Sequence, residues 1–114
     1  MPQLKALFCA AALGLSLTAF AADGQFLADR HVSKGVKCES CHKAGPKEAP
    51  KKADCLACHG GTYAKLAEKT DNLEVNPHDS HQGEIECSKC HKGHKPAVLE
   101  CARCHDFSKE LHIR

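Results

Sequence analysis

One pentapeptide pattern, Cys-x-x-Cys-His, occurs four times in 114 residues, at Cys38–His42, Cys55–His59, Cys87–His91 and Cys101–His105. Two thiols three residues apart can reach the two vinyl groups on one side of a porphyrin. The residue that follows then sets an imidazole beneath the iron, so the pattern reads as an attachment site for a c-type haem. One copy can arise by chance, but these four use every cysteine except Cys9. The expectation is four covalently attached haems c. The thioether positions are Cys38, Cys41, Cys55, Cys58, Cys87, Cys90, Cys101 and Cys104, and His42, His59, His91 and His105 are the proximal iron ligands.

Two rival readings of the cysteines are weaker. A disulfide scaffold suits an oxidising compartment but leaves the four following histidines unexplained. Paired C-x-x-C motifs also build tetrahedral zinc sites, yet zinc ribbons do not require a histidine after every second cysteine.

The amino terminus reads as a secretory signal covering residues 1–21, with the tetrahaem domain occupying 22–114. Lys5 supplies a positive start, an uncharged and mostly apolar run extends from Ala6 to Ala22, and Ala19-Phe20-Ala21 offers an A-x-A cleavage site. The run is at the short limit for a membrane span, which needs roughly 20 apolar residues. Cys9 lacks the small residues expected before a lipidated cysteine. A periplasmic location is therefore expected, with no stable membrane insertion, and export agrees with haem attachment outside the cytoplasm.

The 93 residues left after cleavage form one domain with no Trp, one Tyr and few long aliphatic side chains. A domain this small usually needs staples or metals to stay folded, and here the porphyrins themselves would form the core. The expected fold class is mainly α with much irregular chain and little or no sheet. The haem-free chain is expected to be largely unfolded. Without Lys5 the chain carries 15 Lys and Arg against 14 Asp and Glu. Haem propionates make the assembled surface mildly acidic, so a nucleic-acid partner is not expected.

The motifs fall into two pairs separated by Gly60–Glu86, a loose duplication that suggests two dihaem halves packed end to end. Lys43 to Asp54, rich in Lys, Pro and Ala, reads as a loop, either a solvated connector or a docking patch for an acidic partner. Thr62 to Lys69 reads as a helix with Thr62 as its cap. Each C-x-x-C-H is expected on a helical turn, which brings its cysteines to one face.

The second axial ligands decide function. Met1 is the only methionine and is lost with the signal, so no His/Met site is expected in the mature chain. Five further histidines remain: His31, His78, His81, His94 and His112. Four of them would complete four bis-histidine irons. Methionine ligation raises haem potential, so its absence points to low potentials. Two histidines also leave no open position for a substrate. His78 and His81 are three apart and can serve two neighbouring haems. His94 follows His91 so closely that it is expected to point away from the haem bound at that motif. His31, His78, His81 and His94 are the chosen distal set, and His112 is the reserve.

These residues carry a resemblance. F-L-A-D-R-H31, C-E-S-C-H42, C-L-A-C-H-G60, N-P-H78-D-S-H81, C-S-K-C-H91-K-G-H94 and C-A-R-C-H105 together resemble the small tetrahaem cytochromes c of bacterial periplasms. They are also similar to the amino-terminal tetrahaem domain of soluble flavocytochrome c fumarate reductases. The resemblance implies that His31, His78, His81 and His94 are the distal ligands. The chain departs from the fused form, having no G-x-G-x-x-G and no length for a flavin domain. Activity on fumarate or a related unsaturated acid is then expected in another polypeptide.

The expected function is electron transport in anaerobic respiration, from a quinol-oxidising membrane cytochrome to a flavoprotein reductase or an outer-membrane conduit, without enzyme activity of its own. The chain is expected as a monomer or as a subunit of a heteromeric reductase. The alternatives are a dedicated subunit bound tightly to a flavin-dependent reductase, and a haem enzyme with one open iron.

Overall fold

The computed structural model describes residues 26–113, and the expected signal segment and Cys9 lie outside them. Four short α-helices follow in chain order: α1 (Leu27–Ser33), α2 (Cys38–Cys41), α3 (Lys52–Leu56) and α4 (Tyr63–Lys69). Two 3-10 turns, Cys87–Lys89 and Glu100–Arg103, complete the regular structure. There is no strand among the described residues. The expected class, mainly α with much irregular chain, is what forms. Among the described residues no helix exceeds seven residues, well below the roughly 12–15 at which an isolated helix becomes even marginal in water. Tertiary attachment must hold them.

The helix starts show how local chemistry defines these elements. Thr62 adopts an extended backbone and its Oγ1 accepts the Lys65 amide at 3.2 Å, satisfying a free donor at the start of α4. Asp29 and Asp54 act from the third helical position instead: the Phe26 amide donates to Asp29 at 3.0 Å and the Lys51 amide to Asp54 at 2.9 Å. The expected loop from Lys43 therefore ends earlier than Asp54, because Lys52–Asp54 already belong to α3. The Asp54 cap and its 3.0 Å ion pair with Lys43 turn the end of a lysine-rich segment into a helix start. Between α3 and α4 the chain reverses at Gly60 and Gly61, with φ of +103° and +84°. A Cβ at Gly60 would also meet the Leu66 amide nitrogen at 3.3 Å, so this turn requires glycine twice over.

The two halves interleave rather than pack end to end. The Ala28 amide of α1 donates to Gly93 O at 2.8 Å. The Lys52 amide of α3 donates to Glu86 at 2.9 Å, and Lys52 Nζ pairs with Glu84 at 2.8 Å. Each half is too small to close on itself, so segments of one complete the other.

Three side chains are buried among the described residues: Leu56, Tyr63 and Leu111. That is far short of an ordinary hydrophobic core for a domain of this length.

Candidate haem-binding sites

The four Cys-x-x-Cys-His motifs share one backbone device. In each, the histidine amide donates to the carbonyl of the first cysteine, four residues back: His42 to Cys38 at 2.9 Å, His59 to Cys55 at 3.0 Å, His91 to Cys87 at 2.8 Å and His105 to Cys101 at 2.9 Å. One helical turn therefore brings both thiols and the imidazole to the same side. The first two motifs lie on α2 and α3 and the last two on the tighter 3-10 turns. Among the described residues none of the eight motif cysteines is joined in a disulfide.

Each motif histidine faces one of the four proposed distal histidines. His42 faces His94 with ring centres 6.1 Å apart, His59 faces His31 at 5.9 Å, His91 faces His78 at 6.4 Å and His105 faces His81 at 6.1 Å. Two metal–imidazole bonds of about 2 Å each, extended on both sides by the distance from nitrogen to ring centre, span roughly 6 Å. All four pairs are thus spaced as an iron between two imidazoles requires. His112 lines a cavity beside the His78–His91 pair.

Local folding explains how neighbours in sequence reach different partners. The Val98 amide donates to Cys90 O at 3.0 Å and closes a loop. His91 stands at its base and His94 further along it, so the two rings diverge. His78 and His81 lie on consecutive turns and face His91 and His105 separately.

The outward ring nitrogens are fixed by acceptors. His31 Nδ1 lies 2.8 Å from Leu27 O, and His42 Nδ1 lies 2.8 Å from Glu48 O. A carbonyl only accepts, so Nδ1 carries the hydrogen in both rings and Nε2 keeps its lone pair for a metal. Burial holds the His78 imidazole below its ordinary pKa. Burial, aided by the His78, His59 and Arg30 charges, does the same to His91. Both effects favour the neutral ring, the form that ligates. Phe107 lies almost parallel to His105 with ring centres 5.0 Å apart, and Tyr63 stands edge-on to His78 at 6.1 Å.

The second and third motifs meet directly. Burial first, and then the neighbouring Cys87 thiol, push the Cys55 thiol up to about 11. A cavity of about 570 Å³ opens beside this contact, lined by Cys87, Cys90, His91, His78, Tyr63 and Leu66 among others. That volume falls in the range of about 300–1,000 Å³ typical of cofactor pockets. Among the described residues no three or more His, Cys, Asp or Glu side chains converge as a tetrahedral zinc site requires.

Sequence reasoning missed the supporting residues Leu27, Glu48 and Thr70. The first two act through backbone carbonyls and leave no sequence signal. Asn76, two residues before His78, does leave one, because an Asn ahead of a Pro marks an Asx-type turn.

The family model described as Cytochrome c3 matches residues 30–106. Among curated proteins, the chain is 43% identical over 81 residues to the probable fumarate reductase Ifc3 of Shewanella frigidimarina, covering 68% of this chain and 13% of the relative. It is 47% identical over 53 residues to the cytochrome c-type protein Cgr1 of Eggerthella lenta, covering 45% and 24%. It is 38% identical over 84 residues to the acrylate reductase cytochrome subunit of Shewanella woodyi, covering 68% and 70%. The chain therefore spans a quarter or less of the first two relatives and more than two thirds of the third. No solved structure matches the chain.

Proposed function

The chain belongs to the cytochrome c3 family, and on that premise we propose that it carries four haems c, each closed on both axial faces by histidine. Membership makes it a multihaem c-type cytochrome with an electron-transfer role, not an enzyme by itself. The proposed thioether pairs are Cys38 and Cys41, Cys55 and Cys58, Cys87 and Cys90, and Cys101 and Cys104. The proposed axial pairs are His42 with His94, His59 with His31, His91 with His78, and His105 with His81. The observation that carries this reading is the recurrence of one ring spacing, 5.9–6.4 Å, at all four motifs.

Bound haem supplies reversible one-electron chemistry at iron. The residues of the chain do the rest. The cysteines anchor the macrocycles, and the paired histidines exclude water and small substrates from both faces. With no methionine in the mature chain, the potentials are low. The chain acts in the periplasm after loss of residues 1–21, accepting electrons from a quinol-oxidising membrane cytochrome. It passes them through weak, transient encounters to a flavoprotein reductase or an outer-membrane conduit. Among the described residues no helix is long and apolar enough to cross a membrane.

A second reading has its own support. The relative named as an acrylate reductase cytochrome subunit is matched over 70% of its length. A dedicated cytochrome subunit of a separate flavin-dependent reductase differs from a free carrier in affinity, not in haem chemistry.

Intact mass and optical titration of the purified holoprotein test the core reading. Four haems, a wholly low-spin ferric spectrum, no binding of cyanide, CO or nitrite, and potentials below the standard hydrogen electrode are expected. A stable high-spin fraction would contradict it. Stoichiometric co-purification with a flavoprotein would select the subunit over the carrier.

A further inference from the structure

His31 and His42 rest their Nδ1 hydrogens on backbone carbonyls, which no substitution removes. His78 differs. Its Nδ1 lies 3.1 Å from Thr70 Oγ1, a side-chain hydroxyl at the end of α4. Thr70 Oγ1 also lies 2.7 Å from Asn76 Oδ1, and 3.2 Å from each of the Leu66 and Ala67 carbonyls. The hydroxyl has one hydrogen for all of these contacts.

The surrounding bonds decide where that hydrogen goes. Asn76 Nδ2 donates to Ala67 O at 2.9 Å, which fixes the orientation of the amide. Asn76 Oδ1 then accepts the His78 backbone amide at 3.1 Å. Oδ1 has no hydrogen, so its 2.7 Å approach to Thr70 Oγ1 is attractive only if Thr70 donates. Once that hydrogen is spent, Thr70 can meet His78 Nδ1 only as an acceptor. His78 must therefore carry its hydrogen on Nδ1 and keep Nε2 for metal.

We propose that Thr70 and Asn76 form a clamp that fixes the tautomer and orientation of His78 and lowers the potential of the iron it serves. The proposal rests on the bis-histidine reading given above. Thr70 and Asn76 are positioning residues: neither contacts the iron, and both act through His78. A ring that donates from Nδ1 becomes a stronger donor at Nε2. It then favours the ferric over the ferrous state, and losing the bond raises the potential. Asn76 holds both ends, taking the Thr70 hydrogen and the His78 amide, so the clamp ties α4 to the turn that carries His78.

The test uses the holoprotein with all four haems attached. Thr70→Val keeps the side-chain shape and removes the hydroxyl, whereas Thr70→Ser keeps the hydroxyl. Haem-resolved redox titration should show one potential raised in Thr70→Val, the other three little changed, and Thr70→Ser close to the parent. Four unchanged potentials, four equal shifts, or failure of Thr70→Ser to restore the parent value would overturn the clamp. If Thr70→Val does not assemble, the parent protein still decides. In the fully reduced, diamagnetic state with labelled histidine, the His78 Nδ1 hydrogen should exchange slowly, and exchange at the rate of an open imidazole would overturn it. His78→Ala separates the two levels of the proposal. One haem turning high-spin upholds His78 as a ligand independently of the clamp, and a wholly low-spin spectrum overturns both.

Discussion

His42 and His94 stand with ring centres 6.1 Å apart and ring planes 17° from parallel, although they belong to opposite halves of the chain. The histidine proposed to complete the first site is carried by the loop that follows the third motif. The Ala28–Gly93 hydrogen bond ties that same loop to α1. His94→Ala should turn one haem high-spin without detaching it, because the thioethers of Cys38 and Cys41 remain. It should also destabilise the holoprotein at the upper end of the ordinary range for a single substitution, on the order of 3 kcal/mol. Magnetic circular dichroism and thermal unfolding check the two halves of this prediction. Four low-spin haems in His94→Ala would remove His94 from the ligand set.

Much of this site could be read in the sequence, and the part that could not has a physical cause. The attachment turns are local: two cysteines and a histidine within five residues bring their own helical turn. The Thr62 cap of α4 is equally local. Which histidine faces which is a property of the whole chain. His94 is three residues from His91 and faces His42, and the loop closed by Val98 and Cys90 decides that. The interleaving of the halves was hidden for the same reason, because the Ala28–Gly93 bond and the His42–His94 pair join segments far apart in the sequence. The loop expected over Lys43 to Asp54 gives way to α3 at Lys52 because one capping carboxylate at Asp54 outweighs the Lys and Pro composition of its approach.

Removal of haem should unfold the chain. With only Leu56, Tyr63 and Leu111 buried among the described residues, and no helix longer than seven, polypeptide packing cannot offset the entropy of ordering. The apo-chain should show little helical circular dichroism and amide exchange near that of an unfolded chain. Native-like protection without haem would contradict this.

Thr62→Ala should cost about 1 kcal/mol through loss of the α4 cap, and Thr62→Ser should be close to neutral. The hydroxyl accepts the Lys65 amide at 3.2 Å and touches no haem-site histidine. Thermal unfolding of the holoproteins should therefore shift, while the optical spectrum and the four potentials stay as in the parent.

Acid should loosen the His78–His91 site. Burial depresses both imidazole pKa values in the folded protein. The unfolded chain therefore takes up protons first as pH falls. The stability from keeping these rings neutral is complete above the ordinary imidazole value of about 6.5 and is lost as pH falls from there through the lower folded values. Iron held at Nε2 would extend the loss to still lower pH. A spectrophotometric acid titration should show low-spin haem holding through neutral pH and giving way only well below 6.5. Loss of low-spin character on the alkaline side would run against this sign.

The most direct measurement is electron paramagnetic resonance of the fully oxidised holoprotein. Parallel imidazole planes act on the same iron d orbital and split the near-degenerate pair, whereas perpendicular planes act on both and leave them close in energy. The planes lie 17° and 13° from parallel at His42–His94 and His78–His91, and 67° and 60° at His31–His59 and His81–His105. Four bis-histidine haems in these pairings should give two ordinary rhombic low-spin signals and two strongly anisotropic ones, in equal amounts, with no high-spin signal. A high-spin component, or four haems of a single low-spin type, would contradict the account.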